Sequence, residues 1–147
     1  MINMQLVYDI KEPTDLDDRR LQTVCQNILQ DNHHIHGNIT LIISEDKKLR
    51  KLKKTYFHKD ILTDVITFNL EEEGEPIEGE IYISLERIRE NAKKFKQEIA
   101  IEIRRVIIHG CLHLIGYDDK TLKEKKEMTR LEDYYLNQYF PQDSFNL

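Results

Sequence analysis

In the segment IIHGCLHLIGYDDK, residues 107–120, two imidazoles stand four residues apart within an otherwise apolar run. On a helix, His109 and His113 lie one turn apart on one face, so both rings can reach a single ion. Gly116, three residues on, suits the left-handed position that stops a helix and reverses the chain. The returning chain can then offer Asp118 or Asp119 as a third ligand. Two nitrogens and one carboxylate oxygen leave a coordination position open to water, the arrangement of a catalytic rather than a structural zinc. Such a centre lowers the pKa of its bound water from about 15.7 to roughly 7. The same donors also suit nickel, iron or cobalt.

The spacing H-x-x-x-H-x-x-G-x-x-D is that of the metzincin zinc sites, with aspartate in place of the last histidine. A zinc protease of that kind needs glutamate directly after the first histidine as its general base. Here that position is Gly110, which argues against a peptide substrate. A phosphodiester fits better, because phosphoryl transfer rests on positioning and charge stabilisation. Arg105, one turn before His109 on the same face, is the candidate to offset charge on phosphate; its structural alternative is an ion pair, with Glu102 in reach. Cys111 lies between the histidines but points about 200° away from His109 on a helix, so it reads as a small buried hydrophobe. With Cys25 it makes only two cysteines, too few for a disulfide framework, and both are expected as thiols. His33, His34 and His36 read as solvated loop residues.

The elements that must position this site follow from periodicity. Residues 98–115 carry Ile99, Ile101, Ile103, Val106, Ile107, Ile108, Leu112, Leu114 and Ile115 in nearly every direction, which predicts a mostly buried helix. Strands are predicted at 4–9, 38–44, 63–70 and 79–84, where β-branched residues gather. Thr14 or Asp15 caps a first helix to about Gln30, with Leu16, Val24 and Ile28 inward. Ser44, followed by Glu45 and Asp46, opens a basic helix to about Tyr56. Ser84 caps a helix over 85–96. A last amphipathic helix spans 120–138, with Leu122, Met128, Leu131, Tyr135 and Leu136 on its apolar side. The order β-α-β-α-β-β-α-α-α predicts an α+β fold in one domain over 1–147: a mixed four-stranded sheet, about five helices, and the metal-binding helix buried at the centre.

The net charge is −5, but its distribution is uneven. Residues 47–59 hold seven lysines and arginines and no acid, whereas 71–80 hold six acids and no base. The first reads as a helix face, solvated or bound to a polyanion, and the second as a surface loop. No apolar run reaches membrane-spanning length and the start lacks the order of a signal peptide, so a cytoplasmic protein without a membrane partner is expected.

The segment HGCLHLIGYDD closely resembles the H-G-x-L-H-L-x-G-Y-D-H signature of the YbeY family of bacterial endoribonucleases. TDVITF at 63–68 is similar to that family's T-D-V-L-S-F strand, and GEIYIS at 79–84 to its G-D-I-x-I-S. The resemblance implies a single-strand-specific, metal-dependent endoribonuclease acting in 16S rRNA 3′-end maturation and ribosome quality control. Its partners would be rRNA and the small ribosomal subunit, with no DNA expected. It implies one zinc per chain, or another divalent transition metal, held by His109, His113 and, at the last signature position, Asp119. Two positions depart from the family: Asp119 stands where it carries histidine, and Phe57 where it tends to carry arginine. His58, Lys59 or Arg105 would then have to meet phosphate. Lys51, Lys54, His58 and Lys59 are the residues expected to track the RNA backbone. Two other functions could use the same residues: a non-catalytic RNA-binding assembly factor with a fold-bracing metal, and a metal-dependent peptidase.

Overall fold

The computed structural model describes residues 1–11 and 16–141. Four strands and five helices alternate in the expected order: β1 (Ile2–Tyr8), α1 (Asp18–Asp31), β2 (Gly37–Ser44), α2 (Asp46–Phe57), β3 (Val65–Asn69), β4 (Ile77–Ser84), α3 (Leu85–Lys94), α4 (Ile99–Leu114) and α5 (Leu122–Tyr139). The sheet order is β1-β2-β4-β3. β1, β2 and β4 run parallel, and β3 closes one edge antiparallel to β4. The fold is thus α+β with a mixed sheet.

Alternation along the strands sorts the two faces. Ile39, Leu41 and Ile43 of β2 and Ile81 and Ile83 of β4 are buried on the inner face, beneath α1 and α4. Asn38, Glu78 and Glu80 point outward, to the side on which α2 packs. This period of two carries β4 back to Ile77, so part of the expected acidic loop is strand: its acids face out while Ile77 and Gly79 face in. α4 lies on the inner face with ten of its sixteen residues buried, which makes it the central helix; only its first two residues, Ile99 and Ala100, are exposed.

Caps differ from expectation at α1 and α2. The Thr14 or Asp15 cap falls outside the described residues; α1 starts behind Asp17, whose carboxylate accepts from the Arg20 amide. Ser44 does not cap α2, because it ends β2 and its hydroxyl donates to Asp9 Oδ2 at 3.2 Å. Ser84 does cap α3, accepting from the Arg87 amide. α5 opens with a reciprocal capping box between Thr121 and Glu124. Leu122, expected inward, is 71% exposed, since the first turn of α5 projects beyond the core that Met128, Tyr135 and Leu136 enter. Among the described residues no helix is long and apolar enough to cross a membrane.

Candidate metal centre

α4 brings the two imidazoles together from one turn, with His109 Nε2 and His113 Nε2 3.0 Å apart. The helix ends as its glycine requires. Gly116 has φ +105°, its N–H donates to the His113 carbonyl at 3.0 Å, and the Tyr117 N–H donates to the Leu112 carbonyl at 3.0 Å. That pair of bonds is a Schellman stop, and it turns the following residues back over the last turn. Asp119 Oδ2 thereby lies 3.3 Å from His109 Nε2 and 3.5 Å from His113 Nε2. Asp118, the other carboxylate of the pair, is exposed and outside this group.

The triangle fits an ion. Donors at about 2.0–2.1 Å from a tetrahedral zinc are separated by roughly 3.3–3.4 Å, and the three sides found are 3.0, 3.3 and 3.5 Å. Among the described residues, His109, His113 and Asp119 form the one His/Cys/Asp/Glu group with such convergence. The loop histidines His33, His34 and His36 therefore make no second centre there; His36 instead meets the Met1 amino group. Exposure rises from 22% and 23% at the histidine side chains to 40% at Asp119, so the centre opens on the aspartate side.

Behind the imidazoles stands a residue that the sequence reading did not single out. Glu132 of α5 is buried, and its Oε2 lies 2.8 Å from His109 Nδ1. A carboxylate there accepts the Nδ1 proton and leaves the Nε2 lone pair free for a metal. Its other oxygen accepts from Arg105 Nη1 at 3.0 Å, and Arg105 Nη2 donates to Asp133 Oδ1 at 2.7 Å. Arg105 is thus held behind His109 by two carboxylates. Its ion pair is with Glu132 and Asp133, not the Glu102 considered from sequence. A signal for Glu132 was present: it shares the stripe of Met128, Tyr135 and Leu136, a carboxylate on the buried face of α5.

Two more acids, Asp64 half-buried and Glu102 buried, complete the electrostatics. Asp64, in the turn before β3, accepts from Asn91 Nδ2 at 3.2 Å, and burial pushes its carboxyl above the usual range. Burial likewise raises Glu102, helped by the nearby charge of Asp64. Burial would lower His109, but the hydrogen bond and charge of Glu132, with Asp119 and Asp64 beyond, outweigh it and raise the imidazole above 6.5. The pocket therefore favours positive charge at the point where the three donors meet.

Gly110 has a packing reason. A Cβ there would lie 2.9 Å from Ile81 Cγ2 of β4, so the side of α4 following His109 is pressed against the sheet. A glutamate in the place of the protease general base would require α4 or the Ile81 side chain to shift. Cys111 is fully buried, and its sulfur lies 3.0 Å from that of Cys25, both as thiols. Lys51 and Lys54 on α2, and His58 and Lys59 after its end, are exposed. That helix packs on the outer face of the sheet, across β3 from the histidines, so these residues are not brought into the metal centre itself.

Comparison with known proteins agrees with this geometry. The profile of the family Endoribonuclease YbeY matches residues 7–140. The chain belongs to the YbeY family. A relative named endoribonuclease YbeY from Amoebophilus asiaticus is 43% identical over 110 residues, 75% of each chain. Another of that name, from Flavobacterium psychrophilum, is 38% identical over 92% of this chain and 96% of its own. The solution structure of TM1509 from Thermotoga maritima superposes with a TM-score of 0.65 at 30% identity, covering 99% of this chain and 93% of that one. The YbeY membership expected from the signature holds, and the family fold agrees with the sheet order and helices found.

Proposed function

We propose that this chain is a metal-dependent endoribonuclease that hydrolyses single-stranded RNA, with the 3′ end of 16S rRNA on the small ribosomal subunit as its substrate in maturation and quality control. The observation that carries the hydrolytic reading is the convergence of His109 Nε2, His113 Nε2 and Asp119 Oδ2, with His109 Nδ1 locked by Glu132. The RNA substrate and the cytoplasmic ribosomal setting draw on the family resemblance of the signature.

His109, His113 and Asp119 would hold the ion, zinc by its donor set. When bound, such an ion supplies Lewis acidity at neutral pH, polarising a phosphoryl oxygen and making water a better nucleophile. The chain's own residues do the rest. Glu132 fixes the tautomer and orientation of His109, and Arg105 holds Glu132 in place. Arg105 thus serves the reaction through His109, while Lys51, Lys54, His58 and Lys59 attract the RNA backbone from the α2 side. The test is cleavage of a single-stranded rRNA fragment by zinc-loaded protein against His113→Ala. Cleavage by the first alone supports the reading, and equal cleavage by both refutes it.

The position of Arg105 favours a second reading, a non-catalytic assembly factor whose ion braces α4 against the returning chain. Both ends of its guanidinium are occupied by Glu132 and Asp133. Unfolding on chelation, together with no cleavage by the zinc-loaded protein, would select this reading. Peptide hydrolysis is disfavoured by the closed packing at Gly110.

A further inference from the structure

The outer face of the sheet carries a feature that the metal centre does not use. Tyr56 and Phe57, consecutive at the end of α2, are 62% and 40% exposed. Both rings lean on Phe68 of β3, at centroid distances of 5.3 and 5.9 Å, and Phe68 meets Tyr82 of β4 edge-on. The two outer rings are therefore propped from beneath by Phe68 and remain partly exposed. Lys53 Nζ sits 4.5 Å from the Phe57 centroid. Further up the helix, Lys47, Lys51 and Lys54 follow a spacing of four and three and so share one flank. With Arg50, Asp60 and Leu62 they line a groove of about 630 Å³. Each acid of that groove has a partner: Asp60 pairs with Arg50 inside it, Asp46 with Arg87, and Glu86 accepts from the Asp46 amide. Among the described residues none of the three lysines forms an ion pair.

We propose that this surface is a stacking platform for unpaired RNA bases. Tyr56 and Phe57 take the bases, and Lys47, Lys51 and Lys54 follow the phosphates. The inference rests on the RNA-cleaving reading above and assigns its strand-binding surface. Rigid aromatic faces beside unpaired cations match single-stranded nucleic acid, whereas protein interfaces are depleted of lysine. Glu78 and Glu80 on the outer face of β4 repel a polyanion from the sheet centre and confine it to α2 and the β3 edge. That edge leads to the metal. Phe68 of β3 supports Phe57 on the outer side, while the adjacent Thr67 lies 3.5 Å from the Cβ position of Gly110 on the inner side. The platform and the histidine turn therefore stand at one height on opposite faces of the edge strand, and a strand crossing β3 would touch both.

The test is fluorescence anisotropy of metal-loaded protein with a cleavage-resistant, 2′-O-methylated phosphorothioate oligoadenylate over a salt series. Tyr56→Leu and Phe57→Leu should each weaken binding roughly tenfold, as for loss of one stacked base, with the salt slope unchanged. Lys51→Gln and Lys54→Gln should each reduce that slope by about 0.7. An abasic strand of equal length should bind parent and aromatic variants alike. Equal affinity of the double aromatic variant and the parent for oligoadenylate overturns the proposal, as does equal weakening toward both strands. If the double variant melts early, the Tyr56→Leu single variant decides by the same criteria. A dimer abolished by the double variant, with no RNA binding by the parent, would reassign the patch to a second copy and also overturn it. RNA binding of the expected kind without cleavage would leave the platform standing and remove the hydrolytic reading alone.

Discussion

Replacing Glu132 by glutamine perturbs the metal centre without touching a ligand. Both neighbours of the Glu132 carboxylate are donors: His109 Nδ1 at 2.8 Å and Arg105 Nη1 at 3.0 Å. A glutamine amide has one acceptor oxygen, so its NH2 must face one of these donors and a hydrogen bond is lost in either orientation. An outer-sphere partner of a metal-bound histidine is worth about 10–100-fold in metal affinity, which converts to about 1.4–2.8 kcal/mol. The assay is zinc competition against a chromophoric chelator, with melting curves to confirm the fold. Glu127→Gln is the control, since Glu127 pairs with Arg130 on the exposed side of the same helix. Zinc affinity of Glu132→Gln within twofold of the parent would refute the reasoning, because His109 would then be oriented by something other than that carboxylate.

Other outcomes follow from the same geometry. Asp119→Asn should weaken zinc binding by more than the about 100-fold upper figure for an outer-sphere residue, with little change in melting of the metal-free protein, because Asp119 is 40% exposed; isothermal titration checks the first and a thermal melt the second. Gly116→Ala should destabilise the chain by about 1–2 kcal/mol in denaturant melts, because φ +105° is strained for any residue with a Cβ, and should lower zinc affinity by loosening Asp119. For metal-free protein the sign of the pH effect is set by His109, whose folded pKa is raised above 6.5. Its contribution is complete below the unfolded value near 6.5 and is lost as pH rises through the folded one. Melting of chelated protein should therefore fall over that window, a trend that His109→Gln flattens, while zinc affinity rises with pH across it.

Much of the site was legible because its determinants are local. The histidine spacing, the glycine stop and the returning aspartate all lie within eleven residues, and the Schellman bonds at Gly116 form as the pattern requires. Strand and helix order followed from hydrophobic period, including the apolar surround of α4. What was not legible depends on partners distant in sequence. Glu132 reaches His109 from 23 residues away, and Arg105 meets Glu132 and Asp133 rather than Glu102 because α5 docks beside α4. Ser44 looked like a cap by composition, but its hydroxyl is taken by Asp9 at the end of the neighbouring strand. Leu122 fits the apolar stripe of α5, yet the axis of that helix carries its first turn clear of the core. The pairing of β2 with β4 likewise links strands more than thirty residues apart, so it leaves no trace in any short window.

X-ray absorption at the metal edge of purified, zinc-loaded protein tests the central claim most directly, with total metal analysis on the same sample. One ion per chain, bound by two imidazoles and a carboxylate oxygen and lost in His109→Ala, is the predicted result. A parent that retains no metal after gel filtration, or an ion bound unchanged in that variant, would contradict it.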